Sequence, residues 1–414
     1  MTQQTLVGRP LPDDLDPSLP GLASALDPAR VALQFEHRWP GSGHVSAISA
    51  CQPKHVRWSP GVDCVVTYGL QVESGDGQSV PTIGVVEVDP GGVRHRLFAA
   101  DDLLPGLAHA TDPSVMSRWL AERLRRSVER CSITPVTYRP GRRCVLRYEL
   151  SGDGVTVLYG KVLSDDRAVH LASTVASLGD SLVPALVGVA PEWQLVVQAD
   201  AGSHNLDSVT ASTHSPRMLA ELRAGGRLLG RLHGCLGAPS VCRTLEEDAG
   251  ALGGYLLAAK RVSPDSAAFL AEGIDRLRAL ADPASPSVPS HGAFRLNQVQ
   301  LASGEPRLID LDSYCWAEPA RDVGNLLAYL RWRAIRQPAR RVAVSKVSAA
   351  FLAGYTSTTP TPLHHHRVRA YEAASLLKIA GRRYRRLAVD EWERVPIVIA
   401  AAIERLGASV GRAG

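Results

Sequence analysis

Lysine is nearly missing from this chain. Of 46 basic residues only five are lysines, Lys54, Lys161, Lys260, Lys346 and Lys378, and arginine supplies the rest. A residue used this sparingly draws the eye wherever a strand or helix carries it. Aromatic residues make up 5% and methionine occupies three positions, too few to suggest a cofactor box. The seven cysteines contain no CxxC pair and lie far apart, so they read as buried thiols in a reducing compartment, not as a disulfide framework or a metal cluster. Long apolar runs are lacking too: Val395 to Ile403 is interrupted by Pro396 and is too short to span a bilayer. Met1 to Pro20 is polar and proline-rich and lacks the basic-then-apolar order of a secretory signal. A cytoplasmic protein with no membrane partner is the expectation. The formal charge of +5 is too mild to call for nucleic acid, though it favours an anionic ligand locally.

What is present describes a globular chain. With 414 residues, 45% hydrophobic and 21% charged, there is enough chain for two or three domains. Residues 1–30 show no clear periodicity and read as a tail or surface segment. From there the chain reads β-rich. Val56-Arg57-Trp58-Ser59-Pro60-Gly61 leads into Cys64 to Leu70, and 80 residues later Val136-Thr137-Tyr138-Arg139-Pro140-Gly141 leads into Cys144 to Leu150. Val56, Pro60, Gly61, Cys64, Val65, Tyr68 and Leu70 recur identically in the second stretch. Each stretch predicts strand, Pro-Gly turn, strand, because proline presets one turn dihedral and glycine tolerates a positive one. An internal duplication accounts for the match, and two hairpins of similar composition are the alternative. A further strand closes each, Thr82 to Val88 and Thr156 to Leu163, and only the second contains a lysine, Lys161.

Between the stretches, Met116, Trp119, Leu120 and Leu124 predict a helix. Beyond residue 165 helices dominate. Pro216 to Cys235 carries apolar residues at helical spacing despite Gly225 and Gly226, and nearly all of the chain after Arg321 reads as helix. Strands first and helices second give an α+β class, divided as residues 31–129 for a β-rich extension with a duplicated element, 130–200 for a second β-rich part and 201–414 for a helical part.

Phosphoryl transfer needs a turn over the phosphates, a cation on them, oxygen ligands for a divalent metal and a group that orients the acceptor. The chain offers these in order. The Tyr138 to Arg143 hairpin, with Gly141 and Arg142 at its tip, would cover phosphates. Lys161 would meet their oxygens. Asp310, emerging from the apolar Leu308-Ile309-Asp310-Leu311-Asp312, would hold the metal.

Four stretches then make a specific resemblance: Leu228-Leu229-Gly230-Arg231-Leu232-His233, His291-Gly292, Leu308 to Asp312, and Glu318-Pro319-Ala320-Arg321-Asp322-Val323. Together, over roughly residues 130 to 400, they resemble the aminoglycoside phosphotransferase family of the protein-kinase-like fold. The resemblance implies a two-lobed architecture with a β-rich N-lobe and a helical C-lobe, ATP or GTP with Mg²⁺, and a hydroxyl acceptor on a small molecule or a peptide Ser or Thr. It makes Lys161 the phosphate-binding lysine, Asp310 the metal-binding aspartate and Asp322 the brace of the catalytic loop. Leu195 to Gln198, with Val197, is similar to the hinge that meets adenine.

The sequence departs from that family in three places. Ala293 stands where the acceptor-orienting aspartate belongs, Gln298 replaces a metal-ligating asparagine while keeping an amide oxygen, and no glutamate follows Lys161 in the next helix. Asp312 is the candidate to take over from the missing carboxylate. Arg295 either meets substrate or pairs with Asp312 or Glu318. The loss leaves two readings open: a working phosphotransferase, and a pseudokinase that binds nucleotide or scaffolds a protein partner in a modification complex. Acceptor specificity is expected from 235–290 and 331–370. Two polar clusters carry blander readings beside sharper ones: His364-His365-His366 as solvated surface or metal ligands, and Arg382 to Arg386 as a charged helix face or a contact for an acidic partner or nucleic acid.

Overall fold

The two Pro-Gly turns are where the chain first folds back on itself. Gly61 and Gly141 take φ of +74° and +65°, values that glycine adopts without strain. In a computed structural model, which describes residues 15–37, 39, 45–74, 79–152, 154–210, 215–302, 305–359 and 361–410, each turn joins two long antiparallel strands. The first sheet runs in the order β1 (Val45–Ser59), β2 (Asp63–Ser74), β3 (Ser79–Asp89) and β4 (Gly92–Leu97). The second contains β5 (Val128–Arg139), β6 (Arg143–Gly152), β7 (Thr156–Leu163), β8 (Leu186–Ala190) and β9 (Leu195–Ala199), in the spatial order β5-β6-β7-β9-β8. Both belong to one compact unit comprising the chain up to Ala172 with Leu186–Asp200 and Tyr384–Asp390. The remaining segments, Ser173–Ala185, Ala201–Arg383 and Glu391–Gly414, form a second, helical unit.

The expected tail is a correction. Residues 1–14 lie outside the described residues, but from Leu15 onward the segment is folded: Leu22–Ala25 and Pro28–His37 are helices, and Leu19, Leu22, Ala25, Val31 and Phe35 are buried. They are the first half of a repeat that begins before the hairpin. Asp16 to Pro28 and Asp101 to Pro113 share nine identities in thirteen positions: Asp16, Leu19, Pro20, Gly21, Leu22, Ala23, Ala25, Asp27 and Pro28, each with its partner 85 residues on. The second copy accordingly begins at Asp101 and includes the helix Pro113–Leu124, so a boundary at 130 cuts through it.

Corresponding residues do corresponding work. Asp16, 5% exposed, accepts from Trp58 Nε1 at 2.8 Å and from the Gly61 backbone N–H at 2.8 Å. Asp101, also 5% exposed, accepts from the Tyr138 hydroxyl at 2.6 Å and from the Gly141 N–H at 2.7 Å. One turn of sheet away, the Tyr68 hydroxyl donates to Ala25 O at 2.8 Å and the Tyr148 hydroxyl to Ala110 O at 2.9 Å. A buried carboxylate thus locks each Pro-Gly turn to the segment that precedes it, satisfying groups that are costly to bury alone.

The two copies share a core. Val65, Val85 and Phe98 of the first bury themselves with Leu104, Leu107, Met116, Tyr138, Leu146 and Val197, each such side chain contributing ~1.5–3 kcal/mol. Strand register identifies the counterpart of Lys161. Val145 faces Lys161 across β6 and β7, and its equivalent Val65 faces Glu87 across β2 and β3. The first copy carries a carboxylate where the second carries an ammonium, and Glu87 accepts from Arg96 at 3.1 and 2.9 Å.

In the helical unit, Gly225 and Gly226 have a packing reason. A Cβ on Gly226 would lie 2.1 Å from Phe351 O, and one on Gly354 would lie 2.0 Å from Arg223 O. The helices Pro216–His233 and Arg341–Thr356 therefore touch backbone to backbone, an approach that offsets the roughly 1 kcal/mol a helical glycine costs. Short strands complete this unit: β10 (His204–Asn205), β13 (Val299–Ala302) and β14 (Glu305–Leu308) form one sheet, and β11 (Cys242–Arg243), β12 (Val288–Ser290) and β15 (Cys315–Ala317) another. No helix among the described residues is long and apolar enough to cross a membrane.

Candidate active site

The loop between β12 and β13 is shaped by one glycine and one aspartate. Gly292 has φ of +80°, and a Cβ there would come within 2.0 Å of Ser313 O, so only glycine lets the loop press against the turn after β14. Asp322, fully buried in the first turn of the helix Pro319–Arg336, accepts from the backbone N–H of His291 at 2.7 Å and of Phe294 at 3.4 Å. His233 Nε2 donates to the same carboxylate at 3.2 Å, and its Nδ1 accepts from the Tyr355 hydroxyl at 2.8 Å. Burial alone would raise the Asp322 pKa, but the His233 hydrogen bond first, and the nearby Arg321 guanidinium, outweigh it and hold the carboxyl below its ordinary range. The expected brace is therefore visible as geometry. His291 is spent structurally as well, with Nε2 donating to Ile309 O at 2.9 Å. Asn325 Nδ2 adds a bond to Phe294 O at 2.7 Å.

Gln298 and Asp310 meet at the open end of the β13–β14 hairpin. Val299 pairs with Leu308, and the Ile309 N–H donates to Gln298 O at 2.9 Å. This register sets Gln298 Nε2 3.5 Å from Asp310 Oδ2, the long edge of a hydrogen bond. Gln298 Oε1 is buried without a hydrogen-bond partner. Asp310 has φ of +66°, a left-handed conformation that costs about 1–3 kcal/mol and is retained mostly where function requires it. An orphaned amide oxygen beside a strained carboxylate fits a hard, oxygen-ligated cation. Among the described residues no group of three or more His, Cys, Asp or Glu forms a metal cluster, and His364, His365 and His366 are exposed.

Lys161 lies in β7 between Val145 of β6 and Val196 of β9, in the body of its sheet and not at an edge. It alternates with the buried Gly160 and Val162, so it faces away from the core. Arg142 is exposed at the hairpin tip, and its carbonyl accepts from the Ser164 N–H at 3.1 Å and from Arg167 Nη2 at 3.1 Å. The Gly141 N–H is committed to Asp101, so this residue supplies turn geometry and not a donor. Val197 pairs with Gly160 on one side and Gly188 on the other, with its side chain fully buried.

Ala293 is half-buried and brings no titratable group. Asp312 sits in the short turn Leu311–Ser313, half-buried. The expected pairing of Arg295 with Glu318 is not seen: Glu318 takes Arg367 and the Tyr371 hydroxyl, and Arg295 lies over the Tyr329 ring, 5.0 Å from its centroid. Arg382 to Arg386 is no simple solvated face either, since Arg383 is 9% exposed and pairs with Glu391. Lys378 and Arg382 were given no place in a site by the sequence. The signal that could have found Lys378 is the one that found Lys161, a lysine in an arginine-rich chain.

Residues 192–360 match the sequence profile of the phosphotransferase enzyme family. The matched segment holds the braced loop, Gln298, Asp310 and Asp322. Solved structures with a similar fold include spectinomycin phosphotransferase in complex with ADP and spectinomycin, at 11% identity over 71% of this chain and 98% of that one, TM-score 0.49. Choline kinase from Streptococcus pneumoniae has 11% identity over 70% and 98%, TM-score 0.49. An amicoumacin kinase in complex with AMP-PNP and Ca²⁺ has 14% identity over 67% and 88%, TM-score 0.49. No curated protein matches the chain.

Proposed function

We propose that this protein is a nucleotide-dependent phosphotransferase that moves a phosphoryl group from ATP or GTP to a hydroxyl of a small molecule. The observation that carries the reading is the pair Gln298 and Asp310, an unpartnered buried amide oxygen beside a left-handed aspartate, inside the phosphotransferase segment. Gln298 and Asp310 would hold Mg²⁺, which when bound neutralises charge on the phosphates. Lys161 would supply a cation to the same phosphates, and the hairpin at Gly141 and Arg142 would cover them. The Asp322 brace keeps the loop rigid. Phosphoryl transfer rests mainly on positioning and charge neutralisation, so the alanine at 293 lowers the rate without removing the chemistry.

A second reading, a pseudokinase that keeps the fold and the nucleotide but performs no transfer, is favoured by one observation, the methyl group at 293. The experiment is radiolabelled phosphate transfer and ATP consumption by the full chain. Lys161→Ala and Asp310→Ala should each abolish activity, and unchanged turnover in both would refute the assignment. Ala293→Asp should raise turnover ~10²–10⁴-fold. A flat response together with an inactive parent would favour the pseudokinase.

A further inference from the structure

Just beneath Gly292, within the helical unit, is a small cavity lined by Asp248, Tyr255, Arg321, Asn325 and Lys378 among others. Its charges do not balance. Arg321 clasps Asp248 with both ends of its fork, Nε to Oδ2 at 2.8 Å and Nη2 to Oδ1 at 2.7 Å. The one lining carboxylate is thereby neutralised.

Lys378 lines the cavity as a second cation, and Arg382, one helical turn on, adds a third charge beside it. Arg382 donates to neutral phenols, Tyr255 at 3.4 Å and Tyr329 at 3.2 Å. Arg295 covers the Tyr329 ring as well. Lys378 feels Arg382 and Arg321 against it, with Asp248 and Tyr329 as its counterweights. Burial first, and Arg382 second, push its ammonium down to about 8. Like charges held together in a dry place without a free carboxylate are destabilising unless an anion completes the set. The free volume, 40 Å³, is about three times the ~10–15 Å³ that one water requires. That is room for a small anionic head group and not for a whole saccharide.

We infer that this cavity binds an anionic group of the acceptor, a carboxylate or phosphate, through Lys378, with Arg382 adding charge from one helical turn away and the acceptor's hydroxyl directed to the loop at Gly292 and Ala293. The inference rests on the phosphotransferase reading for the word acceptor, and on the cavity's own charges for the word anionic. Specificity for an acidic substrate then comes from a residue class, lysine, that this chain otherwise avoids.

The test is calorimetric titration and thermal shift on the full chain with inorganic phosphate and with choline, a quaternary ammonium ion. Phosphate should bind saturably, at least tenfold more weakly in Lys378→Met and with near-parent affinity in Lys378→Arg. Choline should not bind. Circular dichroism of Lys378→Met checks that it folds, and the Lys378→Arg arm reads the charge even if it does not. No phosphate binding, binding indifferent to position 378, or choline binding more tightly than phosphate would each overturn the inference. AMP-PNP titration separates the two proposals. A chain that ignores the nucleotide yet binds phosphate through Lys378 loses the phosphotransferase reading, and with it the acceptor, but keeps the anion site.

Discussion

At Asp322 two backbone N–H groups and one imidazole converge on a carboxylate with no exposure to water. Its pKa is depressed in the folded chain. A group of this kind stabilises fully above its unfolded pKa of ~3.9, and that contribution is lost as pH falls through the lower folded value. Asp322→Ala strands His233 and two N–H groups in a dry interior and should cost ~3–5 kcal/mol, read as a lower urea midpoint at pH 7. Asp322→Asn keeps an acceptor but not the charge, so its deficit relative to the parent should shrink below about pH 4. A deficit that stays constant from pH 7 to pH 3 would show the charge to be irrelevant. Asp322 was readable from its place in a known motif, and Lys161 from its rarity. Lys378 is just as rare, but its meaning depends on Asp248 and Arg321, 130 and 57 positions away in sequence, which only the folded helices bring near.

Asp16 and Asp101 carry the same argument one level up, where a side chain ties a turn to a helical segment. Each accepts from an aromatic side chain and from the N–H of the turn glycine. Asp16→Ala and Asp101→Ala should therefore destabilise alike, by ~2–4 kcal/mol each, since each leaves a buried donor and a turn N–H unpaired. Thermal denaturation of the two variants checks this, and a large loss in only one would mean that the copies are not equivalent elements. The hairpins of this repeat were legible because Pro-Gly and the strand alternation survive in both copies. The helical half was not, because its offset is 85 residues while that of the hairpins is 80. Five extra residues between helix and β1 break the alignment at the point where a reader would extend it.

Across the whole β-rich unit, the first copy contributes buried surface where the second contributes Lys161. Glu87 takes the lysine's register position and is closed by Arg96, whose Nη1 also donates to the Tyr138 hydroxyl at 2.9 Å. Val65, Val85 and Phe98 lie in one core with residues of the second copy. The α+β division was visible in sequence because strands and helices segregate along the chain. This shared core was not, since nothing in either copy alone marks which sheet face receives the other. A chain trimmed to begin at Asp101 loses those three side chains, roughly 5–9 kcal/mol of burial, comparable to the entire stability of an ordinary domain. Such a chain should aggregate, or melt well below the full chain, even though it retains every residue assigned to nucleotide and metal. Equal melting temperatures for the two would show the first copy to be an appendage, and the common core to be energetically idle.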